Sequence, residues 1–320
     1  MIAVTGAAGF IGSNLAARLA CMGHQLLLVD RLPLGPKATN LASLPPSRLM
    51  GPDAFLAFLA AGGEGIEAVF HLGACSRTTE TDWSYLERNN VRYSQAVWSW
   101  CAARGKPLLY ASSAATYGDG SLGFDDRTPP EKLRPLNLYG KSKNDFDAWA
   151  LAESRSGRPT PPGWAGLKFF NVYGPNEGHK GPMASVVWHA RRQIAESGEV
   201  RLFRSTEPAV ADGCQRRDFV FVHDCVDHLL WLWRHPEVSG IHNSGTGEAR
   251  TFLDLAHAVF ASLGISPAVR FIDMPASLSG QYQSYTRADM SKLRSSGYDG
   301  PVTSLEDGVR ATVQALRAAA

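Results

Sequence analysis

The chain opens on IAVTGAAGFIGSN (2–14), an apolar β-type run that passes through three glycines into a helical pattern. Gly6, Gly9 and Gly12 stand in G-x-x-G-x-x-G spacing. Glycine lets a chain turn sharply and come close to a pyrophosphate. The helix that follows offers free N–H groups and the positive end of its dipole. A strand-to-helix turn alone is common. Here the second apolar run, QLLLVD (25–30), ends in Asp30, where an acid can accept from a ribose hydroxyl. Together these point to a dinucleotide site.

The same alternation continues. EAVFHLG (67–73), PLLYASS (107–113) and GLKFFNV (166–172) read as strands, with helical stretches between them. Strands alternating with helices of this length give right-handed crossovers and a parallel sheet. The expected class is α/β, a doubly wound Rossmann sheet with a smaller interleaved C-terminal substrate lobe. Residues 1–172 form the dinucleotide half, with segments near 218–245 returning to it, and 173–320 form mainly the substrate lobe. VRLF (200–203) and DFVFV (218–222) read as strands of this second half. At 320 residues and 44% hydrophobic content, the chain can bury a core of that size.

Composition excludes several roles. The formal charge is +2, without a dense Lys/Arg block, so a nucleic-acid or anionic-membrane partner has no electrostatic basis. The apolar runs are too short to span a bilayer, and the N-terminus lacks the basic lead of a signal peptide. Five cysteines, with no C-x-x-C pair, argue against a disulfide framework or zinc site and fit a reducing cytoplasm. HDCVDH (223–228) holds metal-binding residue types. His223 and His228 are five apart and point to different helix faces, so no metal is expected, and Asp224 reads as a helix cap.

A second constellation is SSAATYG (112–118) followed by NLYGKSK (137–143). Tyr139 and Lys143 stand four apart and share a helix face. A tyrosine of ordinary pKa about 10 is a poor base at neutral pH. A nearby ammonium and an oxidised nicotinamide favour the phenolate. Such a pair can take a proton from an alcohol while hydride leaves. Ser113, at a strand end, is placed to orient the hydroxyl. Arg31 and Lys37 either neutralise a 2′-phosphate or are solvated surface cations; residue type leaves NADP and NAD both open.

With these motifs in place, the chain resembles the extended short-chain dehydrogenases/reductases, and more narrowly the ADP-glyceromanno-heptose 6-epimerases of lipopolysaccharide core synthesis. The resemblance covers nearly the whole chain. It is carried by LGACSRTTE (72–80), YASSAATYGDG (110–120), PLNLYGKSK (135–143), FFNVYGPNEGHKGPMASV (169–186), RRDFVFVHD (216–224) and GQYQSYTRADM (280–290). It implies an NADP-dependent isomerase that inverts C6″ of an ADP-heptose through a transient ketone. It places the proton relay on Tyr139 and Lys143, the hydroxyl-binding serine on Ser113, and a second acid/base on Lys180. Its cofactor contacts fall on Gly6, Gly9, Phe10, Ile11, Gly12, Asp30, Arg31, Lys37, Leu72, Gly73, Ala74, Cys75, Ser76, Asn89, Tyr139, Lys143, Val172 and Lys180. Its substrate contacts fall on Ser113, Asn171, His189, Phe203, Arg217 and Tyr282. It further implies one tightly held NADP per subunit, a homo-oligomer, pentameric in some members, and a cytoplasmic location.

Some positions depart from the pattern. Pro182 replaces a serine that contacts substrate in many members, and Pro52 falls near the place of a family lysine that can touch the cofactor, a contact this chain lacks there. The loop STEPAVADGCQ (205–215) is longer. Two rival readings are a nucleotide-sugar 4-epimerase or 4,6-dehydratase of the same fold, and a non-catalytic dinucleotide sensor. A dehydratase needs an acid pair where this chain has Ala115 and Thr116. A 4-epimerase has no need of Lys180. A sensor needs neither Tyr139 nor Lys143. Cys75, taken by itself, reads as a small buried side chain.

Overall fold

The computed structural model describes residues 1–275, 283 and 285–318. Seven parallel strands form the main sheet, in the order β11-β6-β5-β4-β1-β2-β3. They are β1 (Ile2–Thr5), β2 (Leu26–Val29), β3 (Arg48–Met50), β4 (Ala68–His71), β5 (Leu108–Ser113), β6 (Ala165–Phe169) and β11 (Gly240–Ser244). β1, β2 and β4 are buried at every position, as a parallel sheet covered on both faces requires.

Successive strand residues feed opposite layers. Ile2, Val4, Leu26, Leu28, Ala68 and Phe70 pack with α1 (Phe10–Cys21) and α7 (Val222–Arg234). Ala3, Leu27, Val29 and Val69 pack with α2 (Pro52–Ala60), α4 (Tyr93–Arg104) and α5 (Leu138–Arg155). This period of two is what the pleat dictates. The strand order reverses at β1, between β2 and β4, so the crevice at their carboxyl ends is the ligand-binding edge of such a sheet.

A third core gathers α6 (Val186–Ser197), β8 (Val200–Phe203), α8 (Phe252–Leu263) and the helix Leu305–Ala318. β8 pairs in parallel with β13 (Val269–Ile272). α8 starts with a reciprocal capping box between Thr251 and Asp254. Among the described residues, no helix is long and apolar enough to cross a membrane.

Two local expectations change. The single strand read at 166–172 is two: β6 stays in the main sheet, and β7 (Asn171–Tyr173) pairs with β10 (Phe219–Phe221). Phe170 makes the jog, its N–H donating to the Ser244 carbonyl at 3.1 Å. The returning segment adds β11 as the far edge of the sheet, beside β6. Asp224 does not cap α7, whose cap position is Phe221. Its carboxylate instead accepts from the N–H (2.9 Å) and hydroxyl (2.6 Å) of Thr303, tying α7 to the chain before the last helix.

Candidate active site

Two turns meet at the crevice, one after β1 and one after β4. Gly6 adopts φ +68, and a Cβ there would lie 2.8 Å from the Gly73 Cα. A Cβ on Gly12 would lie 2.1 Å from the Gly6 carbonyl oxygen. Both positions need glycine because backbone occupies the space a side chain would take. α1 begins at Gly9 with no side-chain cap and no acid in its first turn. Its leading N–H groups and positive dipole end therefore face the crevice uncapped, which suits a pyrophosphate. The residues fit a dinucleotide on this ground.

Asp30, at the end of β2, accepts from the Ala8 N–H at 2.9 Å and from the Arg31 N–H at 2.7 Å. Lys37 makes an ion pair with the same carboxylate. The Arg31 guanidinium lies 5.2 Å from the Tyr85 ring centre and donates to Asn89 at 3.1 Å. Asn89 lies in a π-helical stretch, Glu87–Arg92, between α3 (Trp83–Leu86) and α4. Such wide turns recur at functional sites.

Its neighbour Asn90 organises the turn holding Leu72, Gly73, Ala74, Cys75 and Ser76. The Asn90 amide accepts from the Cys75 N–H at 2.8 Å and donates to the Cys75 carbonyl at 2.9 Å. It also donates to Ser142 of α5 at 2.9 Å. Beneath this turn, Ser94 donates to the Asn90 carbonyl at 2.7 Å and so must accept from His71 Nε2 at 2.8 Å. His71 Nδ1 is then bare and accepts from Thr5 at 2.7 Å, while Thr5 Oγ1 accepts from the Gly73 N–H at 3.0 Å. This chain needs neutral imidazole, and burial, aided by Lys143, brings His71 down to about 3. Nothing local in the sequence marked Asn90, Ser94 or His71.

Asn137 caps α5, accepting from the Gly140 N–H at 2.8 Å, and this sets Tyr139 in the first turn. Burial pushes the Tyr139 phenol up from its ordinary value, and the nearby Ser113 side chain, at the end of β5, opposes this. Lys143 is 6% exposed and donates to the Ala111 carbonyl of β5 at 2.9 Å. Burial brings its ammonium down to about 8, with Asp147 opposing. The lysine is thus anchored on the strand that carries Ser113.

Lys180 lies in a short 3-10 segment, Gly178–Met183, after β7. Its ammonium lies 5.2 Å from the Phe10 ring centre, at the start of α1. Burial lowers its affinity for the proton, and Glu177 partly offsets this. Three asparagines fasten this loop to the glycine turn. Asn14 donates to the Pro175 carbonyl at 3.0 Å, and Asn176, at φ 72, donates to Ser13 at 3.1 Å. Asn40 donates to both the Ala8 and Asn176 carbonyls, at 2.9 and 3.1 Å.

The remaining candidates surround these elements. Ile11 and Val172 pack between two of the core layers. Asn171 is exposed and accepts from Thr286 at 3.1 Å. His189 lies on α6, where burial lowers its proton affinity and the Pro182 backbone opposes this. Phe203 ends β8, and Arg217 lies 5.7 Å from the Phe252 ring centre. Tyr282 lies outside the described residues. A cavity of about 700 Å³ beside the start of α5 is lined by Thr78, Thr81, Asn137 and Lys141 among others.

Comparison with known proteins bears on this geometry. Residues 2–244 match the model of the NAD dependent epimerase/dehydratase family. The chain is 48% identical over 324 residues to the ADP-L-glycero-D-manno-heptose-6-epimerase of Nitratidesulfovibrio vulgaris Hildenborough, covering 100% of this chain and 99% of that one. Among solved structures, the Helicobacter pylori ADP-L-glycero-D-manno-heptose-6-epimerase superposes with a TM-score of 0.81 at 25% identity, over 99% of this chain and 96% of the other. MoeE5 in complex with UDP-glucose and NAD superposes with a TM-score of 0.79 at 26% identity, over 99% of each chain.

Proposed function

This chain belongs to the NAD dependent epimerase/dehydratase family, and from that premise we propose that it epimerises C6″ of ADP-D-glycero-β-D-manno-heptose to the L-glycero form. The observation that carries the reading is Tyr139 in the first turn of α5 beside Ser113 at the end of β5, with Lys143 one helical turn on and anchored to the same strand through the Ala111 carbonyl. The 48% identity to a heptose epimerase along the whole chain supports the choice of substrate.

Carbon 6″ carries no acidic proton, so deprotonation cannot invert it. Transient oxidation to a ketone, with reduction from the other face, does. Gly6, Gly9, Gly12, Leu72–Ser76 and Asp30 would hold the dinucleotide, and the bound nicotinamide supplies reversible two-electron chemistry at that carbon. Tyr139 takes and returns the hydroxyl proton, oriented by Ser113 and assisted by the Lys143 charge. The Tyr139 phenol is held above its ordinary value by its surroundings, and Lys143, one helical turn on, is the cation this chain places to favour its phenolate. Lys180, its proton affinity lowered by burial, serves the second orientation of the hydroxyl. Asn171, His189, Phe203, Arg217 and Tyr282 form the substrate side. The division into a dinucleotide half (1–172, with 218–245 returning) and a substrate lobe belongs to the same reading.

The preferred cofactor in this reading is NADP. Lys37 already neutralises Asp30, and Arg31 stands beside it, so a 2′-phosphate meets two cations rather than a bare acid. The protein works as a homo-oligomer in the cytoplasm, with a pentamer as the form sedimentation should be tested against. The direct test incubates the protein with the nucleotide sugar and follows C6″ configuration by NMR. Inversion that is abolished by Tyr139→Phe and crippled by Lys180→Met supports the reading. A lack of inversion with NADP or NAD added removes it, and normal turnover in Lys180→Met removes the second acid/base.

A further inference from the structure

An ion pair lies beneath the proposed proton relay, away from any surface. Asp147, one turn beyond Lys143 on α5, is fully buried, and Lys168, the penultimate residue of β6, is 1% exposed. The Lys168 ammonium lies 2.8 Å from Asp147 Oδ2. Taking two charges out of water costs more than a well-packed apolar pair of the same shape, so stability alone does not account for them.

The contacts of the pair run to the relay by two branches. Asp147 accepts from Ser112 at 2.6 Å and from Tyr110 at 3.0 Å, both on the face of β5 that α5 covers. Ser112 directly precedes Ser113. Lys168 donates to Thr116 at 2.6 Å, and Thr116 donates to the Ser113 carbonyl at 2.8 Å. Ser113, which lies beside Tyr139 at the end of β5, is thus held from both sides by one buried pair. Lys168 also lies 5.1 Å from the Tyr117 ring centre.

We propose that the Asp147–Lys168 pair is a positioning and charge-setting element for Tyr139 and Lys143, acting through α5 and β5 without touching substrate. The proposal rests on Tyr139 being the acid/base of the reaction. An unpaired Asp147 would place a negative charge one helical turn from Lys143 and disfavour the Tyr139 phenolate. Lys168 cancels it from the neighbouring strand.

Other charges near the relay are few and mostly fixed. Both Tyr139 and Lys143 feel Asp147 and Cys75. From β4, neutral His71 faces Lys143. Behind Tyr117 lies Asp126, and Lys292 feels Lys168 from beyond it. Among these, the pair can be altered without touching the crevice.

The test measures the pH profile of kcat for cofactor-loaded enzyme carrying Asp147→Asn, Lys168→Met or both. In the proposed mechanism the acidic limb reports deprotonation of Tyr139. Lys168→Met leaves the negative charge and should move that limb to higher pH by about half a unit or more. Asp147→Asn leaves the positive charge and should move it to lower pH by a similar amount. The double variant should return it close to the parent. A pair that merely fastens α5 to the sheet would lower the melting temperature and kcat without opposed displacements, and that result overturns the proposal. If Lys168→Met does not fold, Asp147→Asn, nearly isosteric, decides alone: an acid displacement supports the proposal and a fixed limb overturns it. Tyr139→Phe in the parent separates the two readings, because full activity there removes the acid/base assignment itself.

Discussion

The carboxylate of Glu177 accepts from both the backbone N–H and the hydroxyl of Ser185, eight residues on, the latter at 2.6 Å. It also accepts from the Gly174 N–H at 3.3 Å. One buried acid thereby closes the loop 174–185 on itself, with Lys180 at its centre. Ser185 in turn caps α6, accepting from the Trp188 N–H.

Glu177→Ala should therefore loosen the loop while leaving the dinucleotide crevice intact. Hydrogen bonds to a buried charged group contribute about 1.5–3 kcal/mol. A small misplacement of a reacting group costs up to about a hundredfold in rate. The expected result is a lower melting temperature and a kcat reduced at least about tenfold, with cofactor affinity reduced much less than kcat. Calorimetry, steady-state kinetics and cofactor titration read the three quantities separately. Equal loss of cofactor affinity would mean that the loop supports the crevice rather than Lys180.

The glycine turn allows a sharper expectation. A Cβ on Gly12 meets backbone, the Gly6 carbonyl oxygen at 2.1 Å. No rotamer change relieves that contact. Gly12→Ala should displace α1 from the turn after β1, abolish dinucleotide binding, and cost about 1–3 kcal/mol of stability. Gly181 is a useful contrast. Its φ is +55 but nothing lies within 4 Å of its would-be Cβ, so Gly181→Ala should strain the Lys180 loop while leaving the dinucleotide bound. Cofactor titration of the two variants checks the difference.

What could be read from the chain itself follows from distance along it. The glycine turn, Asp30 and the Tyr139–Lys143 spacing are local patterns, each confined to one turn, strand end or helix. The parallel sheet was legible because β1, β2, β4, β5 and β6 each carry an apolar run with helical sequence after it. β3 was not, because Arg48–Met50 is three residues long and only Met50 is buried. The supports of the site were also invisible. Lys168 and Asp147 are 21 residues apart on different elements, and Asn40 and Asn176 are 136 apart. Such pairs leave no periodicity. The β6–β7 break leaves no mark because no glycine or proline stands between Leu167 and Val172, and the jog at Phe170 is imposed by pairing to β10 and β11.

Arg31 and Lys37 should separate the two dinucleotides. Both cations lie by Asp30, and neither touches the glycine turn through its side chain. Replacing either with alanine should weaken NADP about ten- to a hundredfold, the range of a charge-assisted contact to phosphate at about 1.5–3 kcal/mol. NAD should be much less affected by Arg31→Ala. Lys37→Ala frees the Asp30 carboxylate and should further favour NAD. Titration of both cofactors, repeated at raised ionic strength, measures the effect. Parallel losses for NADP and NAD would mean that these cations do not meet a 2′-phosphate.

Two buried histidines set an acid limit on stability. His71 lies between Thr5 and Ser94, and His228 lies 2.9 Å from Ser244 with its ring 4.8 Å from that of Tyr298. Burial, aided by Lys143 for the first and Arg294 for the second, lowers each from 6.5 to about 3. The fold therefore holds both neutral. Their contribution is fully present above pH 6.5 and is lost as pH falls toward 3, because the unfolded chain takes up the protons first. Each should reduce stability by about 1.4 kcal/mol per pH unit in that window. Asp126, raised by burial to about 6, acts with the opposite sign below that pH. The informative quantity is thus the difference between parent and variant. Denaturant unfolding of His71→Asn and His228→Asn between pH 5 and 6.5 should show a pH slope smaller than that of the parent by about 1.4 kcal/mol per unit in each case. A slope unchanged in both variants would mean that the imidazoles are not held neutral by the fold.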